Sequence, residues 1–197
     1  MYFTEDMQDF FGSDYGKVQF GENPEGFFFW RKVVGQLVLN PGVLCVALFR
    51  LSAACAARKI MPASLILDRF NEFATGAQFP HSAEFGPGLQ VHHPEGLVVS
   101  PEAIGGARVM LMGGVALGVR DLRADPRGKS PILGDDVTIG SGAKIIGPVK
   151  LGDRVQVAAN SVVMIDVPDD GIAVGSPAKI IFKKGTGPKA EEAPAAK

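Results

Sequence analysis

Residues 132–163 read ILGDDVTIGSGAKIIGPVKLGDRVQVAANSVV, and a step of six through them stops only on aliphatic side chains: Leu133, Ile139, Ile145, Leu151, Val157 and Val163. The residue after each stop is mostly small (Gly134, Gly140, Ile146, Gly152, Ala158, Met164). Two residues before each later stop stand Val137, Ala143, Val149, Val155 and Ser161, again small or aliphatic. An amphipathic helix repeats every 3.6 residues and a sandwich strand every two, so neither produces this beat. A unit of one short flat strand plus one corner does: the aliphatic residue points into a narrow core and the small one lets the chain turn. Three units close a triangular coil of about eighteen residues, which makes a parallel β-solenoid. Upstream the same step runs Phe79, Phe85, Val91, Leu97, slips by one, and continues Val98, Ile104, Met110, Ala116. Each of the two blocks, Phe79 to Leu117 and Leu133 to Val167, holds about two coils.

Outward from this repeat the chain divides into three parts. Residues 1–75 read as an irregular stretch followed by helices: an apolar pattern with helical spacing from Gly26 to Leu39, a break at Asn40-Pro41-Gly42, a strong helix from Val43 to Lys59, and a further helix from Ala63 to Ala74 after Pro62 ends the connection. Leu65, Leu67, Phe70 and Phe73 fall on one side of the last helix and are expected to bury, with a neighbouring subunit as a candidate cover. Residues 76–182 form the solenoid. It is interrupted at 119–131, VRDLRADPRGKSP, where six charges in thirteen residues mark an extruded loop, either a solvated insertion or a flap lining a site. Residues 183–197, KKGTGPKAEEAPAAK, read as a disordered tail.

Composition limits the function. Hydrophobic residues make up 46% of the 197 and charged residues 21%, with a net charge of −1, which excludes wholesale disorder and argues against a nucleic-acid partner. The 25 glycines fit a structure of many tight turns. Cys45 and Cys55 suggest neither a disulfide framework nor a metal site, and the expected setting is cytoplasmic. The N-terminus lacks the basic region of a signal peptide, and the apolar run Val43 to Ala57 is broken by Arg50 and short of the ~20 residues that span a bilayer. Phe27-Phe28-Phe29-Trp30 followed by Arg31-Lys32 is compatible with peripheral contact at the inner face of a membrane, although packing on the domain is favoured.

The repeat resembles that of the hexapeptide-repeat acyltransferases, which implies a left-handed parallel β-helix with a small N-terminal helical region. Within that group the stretch from about Pro41 to Ile181 is most similar to the serine acetyltransferase branch. Four pieces carry the resemblance: Pro41-Gly42 with Phe49-Arg50-Leu51; the segment Leu89-Gln90-Val91-His92-His93-Pro94-Glu95-Gly96-Leu97; the repeat core Gly140 to Gly147; and Asn160 to Val163, Asp166-Val167-Pro168 and Val174 to Lys179 at the close. The resemblance implies acetyl-CoA as donor and a trimer, or a dimer of trimers, with the site between neighbouring prisms.

A hydroxyl is a poor nucleophile while it keeps its proton, so acetyl transfer needs a general base, and histidine suits that task near neutral pH. The chain has three histidines, His81, His92 and His93. The resemblance puts the base on His93 and sets His92 where the branch usually carries Asp; His92 is a second candidate, to orient His93 or bind the acceptor. His81 reads as structural. The resemblance places coenzyme contacts at Gly118, Ser141, Gly142, Ala159 and Asn160, with phosphate contacts at Lys179, Lys183 and Lys184. No metal is required.

Four departures bear on the acceptor. Gln78 stands where the branch has the Asp that orients its histidine. Lys129-Ser130-Pro131 replaces an Arg-His-Pro triplet. An Asp-Pro-Ala segment has no counterpart, and the helical region is about half the branch's usual length. Short members with a His-His pair resemble enzymes of exopolysaccharide clusters. The expected acceptor is therefore a hydroxyl of a sugar or glycan precursor, then serine. A non-catalytic oligomeric scaffold is the third reading.

Overall fold

The computed structural model describes Asp6, Gly35, residues 39–120 and residues 130–183. Most of the helical pattern at 26–39, the aromatic run at 27–30, most of the 119–131 loop and nearly all of the tail lie outside these residues.

Two helices lead into the solenoid: α1 (Pro41–Ala57) and α2 (Met61–Thr75). Asn40 caps α1, its Oδ1 accepting from the backbone N–H of Gly42 at 3.0 Å and Val43 at 3.4 Å, while Pro41 takes a first-turn position that needs no donor. The helix then lies on the first coil. A Cβ on Gly42 would strike the carbonyl of Val91, so only glycine allows this approach. Phe49 stacks on Phe79 with ring centroids 4.2 Å apart, and Phe79 meets Phe85 edge-on at 5.2 Å. The Arg50 guanidinium reaches the carbonyls of Phe85 at 2.7 Å and Gly86 at 2.6 Å and pairs with the buried Asp6. Burial raises the Asp6 carboxyl above its ordinary value, and the adjacent guanidinium works in the opposite direction.

Helix α2 corrects the sequence reading at its start and adds a polar contact the reading did not anticipate. Pro62 lies in its first turn rather than before it. Its buried side is polar: Ser64, Asn71 and Thr75 face α1, with Asn71 Nδ2 donating to the Cys45 carbonyl at 3.1 Å and Ser52 Oγ 2.9 Å from the Ser64 carbonyl. Leu65, Phe70 and Phe73 are exposed, Phe73 by 88%. The two helices meet through these hydrogen bonds, which leaves the apolar side of α2 outward within the protomer.

The solenoid has three flat faces. One carries β1 (Glu84–Phe85), β4 (Ile104–Gly105), β7 (Ile132–Leu133) and β10 (Lys150–Leu151). A second carries β2 (Gln90–His92), β5 (Met110–Met112), β8 (Thr138–Ile139), β11 (Gln156–Val157) and β13 (Gly171–Val174), with β14 (Lys179–Phe182) added antiparallel at its end. The third carries β3 (Val98–Val99), β6 (Ala116–Gly118), β9 (Lys144–Ile146) and β12 (Val162–Val163). All pairs but the last are parallel, as the hexad requires. The stops Leu133 to Val163 are all buried, and Leu111, Leu117, Ile139 and Ile145 fill the axis.

The upstream phase differs from the sequence reading. Val98 and Ile104 are 41% and 42% exposed, whereas Val99, Leu111 and Leu117 are buried. The inward series passes from Val91 to Val99, eight positions instead of six, so the slip is two residues. The extra residues enlarge the corner His93-Pro94-Glu95-Gly96.

Candidate functional site

This enlarged corner joins the β2 and β3 faces. His93 stands at its start with φ +52°, a left-handed conformation that few side chains other than glycine adopt, and its side chain is exposed. His92, the last residue of β2, is half-buried. Burial, and then the neighbouring His93, hold the His92 imidazole below its ordinary value, so it favours the neutral form.

Above His93 the same corner recurs once per coil, and each level is tied to the one below. Gly113 packs so closely on the His93 carbonyl that a Cβ there would overlap it. Gly114 N–H donates to the Glu95 carbonyl at 2.9 Å, Gly142 N–H to Gly113 at 2.9 Å, and Asn160 N–H to Ser141 at 2.9 Å. His93, Gly113-Gly114, Ser141-Gly142 and Ala159-Asn160 thus form one column. The sequence reading named its bottom and its two upper levels. It missed Gly113-Gly114, which carries the same small-residue signal. A column this poor in side chains lets an extended, amide-rich chain lie against the backbone.

Two other named residues lie elsewhere in the protomer. Gly118 ends β6 at the next corner, in a groove that runs between α2 and the β3 face and is also lined by Leu65, Gln78, Val98 and Leu117. Lys179 opens β14 and is exposed. Lys183 is described and Lys184 is not.

Gln78 pairs through its backbone with Val98, one level below β3. Its amide donates to the Glu72 carboxylate of α2 at 2.7 Å, and Arg69 pairs with the same carboxylate at 2.8 Å. These contacts, the amide first, hold Glu72 below the usual carboxylate range. His81 Nδ1 lies 2.6 Å from Asp68 Oδ2, and Ser52 Oγ donates to Asp68 Oδ1 at 2.6 Å, so His81 ties α2 to the first coil. Ser130 is buried, with its Oγ 2.7 Å from that of Ser100. Burial pushes the Cys45 thiol up to about 12, which leaves it an inert core group. Among the described residues no group of three or more His, Cys, Asp or Glu could hold a metal ion, and no helix is long and apolar enough to cross a membrane.

Comparison with known proteins agrees with this fold. Residues 130–164 match the family described as bacterial transferase hexapeptide (six repeats). The chain is 35% identical over 147 residues to a serine acetyltransferase of Helicobacter pylori, an alignment covering 75% of this chain and 85% of that protein. The structure of serine acetyltransferase from Brucella abortus superposes with a TM-score of 0.76 at 26% identity, covering 92% of this chain and 68% of that one. A serine acetyltransferase in complex with CoA superposes with a TM-score of 0.74 at 25% identity, covering 91% and 68%.

Proposed function

The chain belongs to the serine acetyltransferase family of hexapeptide-repeat acyltransferases, and from that premise we propose that it transfers the acetyl group of acetyl-CoA to the hydroxyl of serine. The observation that carries this reading is the Helicobacter pylori relative, 85% of which this chain covers, so a short helical region is no argument against serine. The order of preference in the sequence reading, sugar before serine, is thereby reversed.

In this reading His93 is the general base. It is exposed at the foot of the column, where an acceptor can reach it, and the left-handed backbone turns it out of the strand. Ser141, Gly142, Ala159 and Asn160 hold the pantetheine arm, which fits the absence of bulky side chains along that corner. Gly118 and Lys179 serve the donor from a neighbouring prism or from its phosphate end. The aliphatic side chains left on the flat faces, Val98, Ile104 and Ile132, are covered by two further copies in a trimer. His92 contacts the acceptor.

One observation favours a second reading. A neutral imidazole at position 92 lacks the charge with which a carboxylate would hold an amine, which suits a neutral polyol such as a sugar hydroxyl. The discriminating experiment is thiol release from acetyl-CoA with serine, free sugars, nucleotide sugars and lipid-linked glycan as acceptors. Serine is expected to exceed every sugar by about 10²-fold in kcat/KM, a margin reachable when a site is built for one acceptor's polar groups. Turnover with a sugar and none with serine would reverse the assignment.

A further inference from the structure

Lys144 belongs to the repeat core, yet its side chain has no part in the interior. It stands in the outward register of β9, between Ala116 of β6 and Val162 of β12. It is half-buried, and its ammonium donates to the carbonyl of Gly114. A lysine lying on a protein surface commonly leaves its ammonium in water and covers apolar surface with its stem. Here the head is instead fixed on a backbone carbonyl, at the cost of rotamer freedom in a long side chain. That bond uses one of three N–H donors, and among the described residues no carboxylate pairs with the rest.

The carbonyl that anchors the ammonium is in the column. Gly114 receives no side chain of its own, takes the Glu95 carbonyl with its N–H, and follows Gly113, whose Cα rests on the His93 carbonyl. Gly142 N–H, one level up, donates to Gly113. The Lys144 ammonium is therefore fixed at the level between His93 and the Ser141-Gly142 pair. A thioester held by the upper levels and attacked by a hydroxyl activated at the lowest one has its reacting carbonyl between the two.

We propose that Lys144 is a catalytic residue of the acetyl transfer, its ammonium meeting the negative charge that develops on the thioester carbonyl oxygen. The acceptor oxygen forms its bond to the acetyl carbon while its proton passes to the His93 imidazole. The carbonyl electron pair moves onto oxygen beside Lys144. When that pair returns, the carbon–sulfur bond breaks and the departing thiolate takes the proton from His93. A fixed cation in a partly water-excluded site stabilises such charge without having to reorganise at the moment of reaction. The inference rests on acetyl transfer at the His93 corner and not on serine as the acceptor.

Lys144→Met and Lys144→Arg test it. With saturating acetyl-CoA and acceptor, the Met variant is expected to lose about 10²-fold in kcat, the scale of removing one oxyanion donor. Its melting temperature and its acetyl-CoA dissociation constant by calorimetry stay near the wild-type values, and Arg, which keeps the charge, restores about tenfold of the loss. The proposal is overturned if the Met variant keeps kcat within about twofold of wild type, since an electrostatic contribution of that order cannot be so small. It is equally overturned if kcat, melting temperature and acetyl-CoA affinity fall together and Arg is no better than Met, which is the signature of a structural lysine. His93→Ala is measured in parallel: full activity there means the base lies elsewhere, a failure separate from that of Lys144.

Discussion

His93 and His92 are adjacent in sequence and opposite in environment. The first is exposed at a left-handed corner position, and the second is half-buried at the end of a strand. On the proposed roles, His93→Ala takes the base from the acceptor hydroxyl and leaves the backbone of the column above it unchanged. Turnover should fall by about 10²–10⁴-fold with acetyl-CoA affinity nearly unchanged, measured as kcat against a calorimetric dissociation constant. Retention of more than about a tenth of kcat would remove His93 from the role. His92 carries a pH signature. Its folded-state value is depressed by burial and by His93, so below about pH 6.5 the unfolded chain binds more protons than the folded one. Its contribution to stability is complete above that pH and is lost as pH falls through the window beneath it. Thermal melts between pH 7.5 and 5 should show a steeper decline for wild type than for His92→Gln; parallel curves would exclude the effect. From the sequence His93 was named by its place in a motif, and His92 by standing beside it where the branch usually carries Asp. Lys144 was not, because a lysine on a repeat strand looks the same whether its ammonium is solvated or fixed on Gly114.

At the scale of elements, the hexad states which side chains enter the axis, and the axis is too narrow for anything else. Ile145 is fully buried among Leu117, Ile139 and Val163, where a carboxylate would find no partner. Ile145→Asp should cost several kcal/mol, enough to abolish the cooperative melt or prevent soluble expression. A soluble variant with an unchanged melting temperature would mean that this position does not face inward. Arg50 is the corresponding point for α1, since it holds two carbonyls of the β1–β2 turn as well as Asp6. Arg50→Met should destabilise by about 3–5 kcal/mol, the cost of stranding a buried partner, read from denaturant unfolding. A loss below about 1 kcal/mol would show that water replaces the guanidinium. The strands from Leu133 to Val163 were readable because every unit between them has the same length, whereas the next coil, from Leu151 to its partner Val167, is two residues shorter. Upstream, the two-residue enlargement at His93 broke the count, and a periodic argument cannot tell a slip of one from a slip of two when Leu97, Val98 and Val99 are all aliphatic. For α2 the apolar side was located from the sequence, and the polar side that packs on α1 was not, since Ser64, Asn71 and Thr75 make that contact through hydrogen bonds no spacing rule announces.

For the molecule as a whole, the exposed residues Val98, Ile104 and Ile132 on the flat faces, with Leu65, Phe70 and Phe73 on α2, leave apolar surface that a lone protomer does not cover. Light scattering should therefore find a trimer or a multiple of it at micromolar concentration; a stable, fully active monomer would defeat the proposal that the site is completed between prisms. By itself the sequence determined the solenoid, its triangular beat, the histidine at its corner and the family. The solenoid and its beat follow from local rules, because a strand of two or three residues and a turn of two leave no other way to bury every sixth side chain, while the family and the histidine rest on the motifs the chain shares with its relatives. Only the tertiary structure decided that His93, Gly113, Ser141 and Asn160 stand in one column, that Gly118 does not, and that Lys144 is anchored beside it. Those relations join residues a coil or more apart, and they depend on the true length of each corner, which a repeat read along the chain averages away.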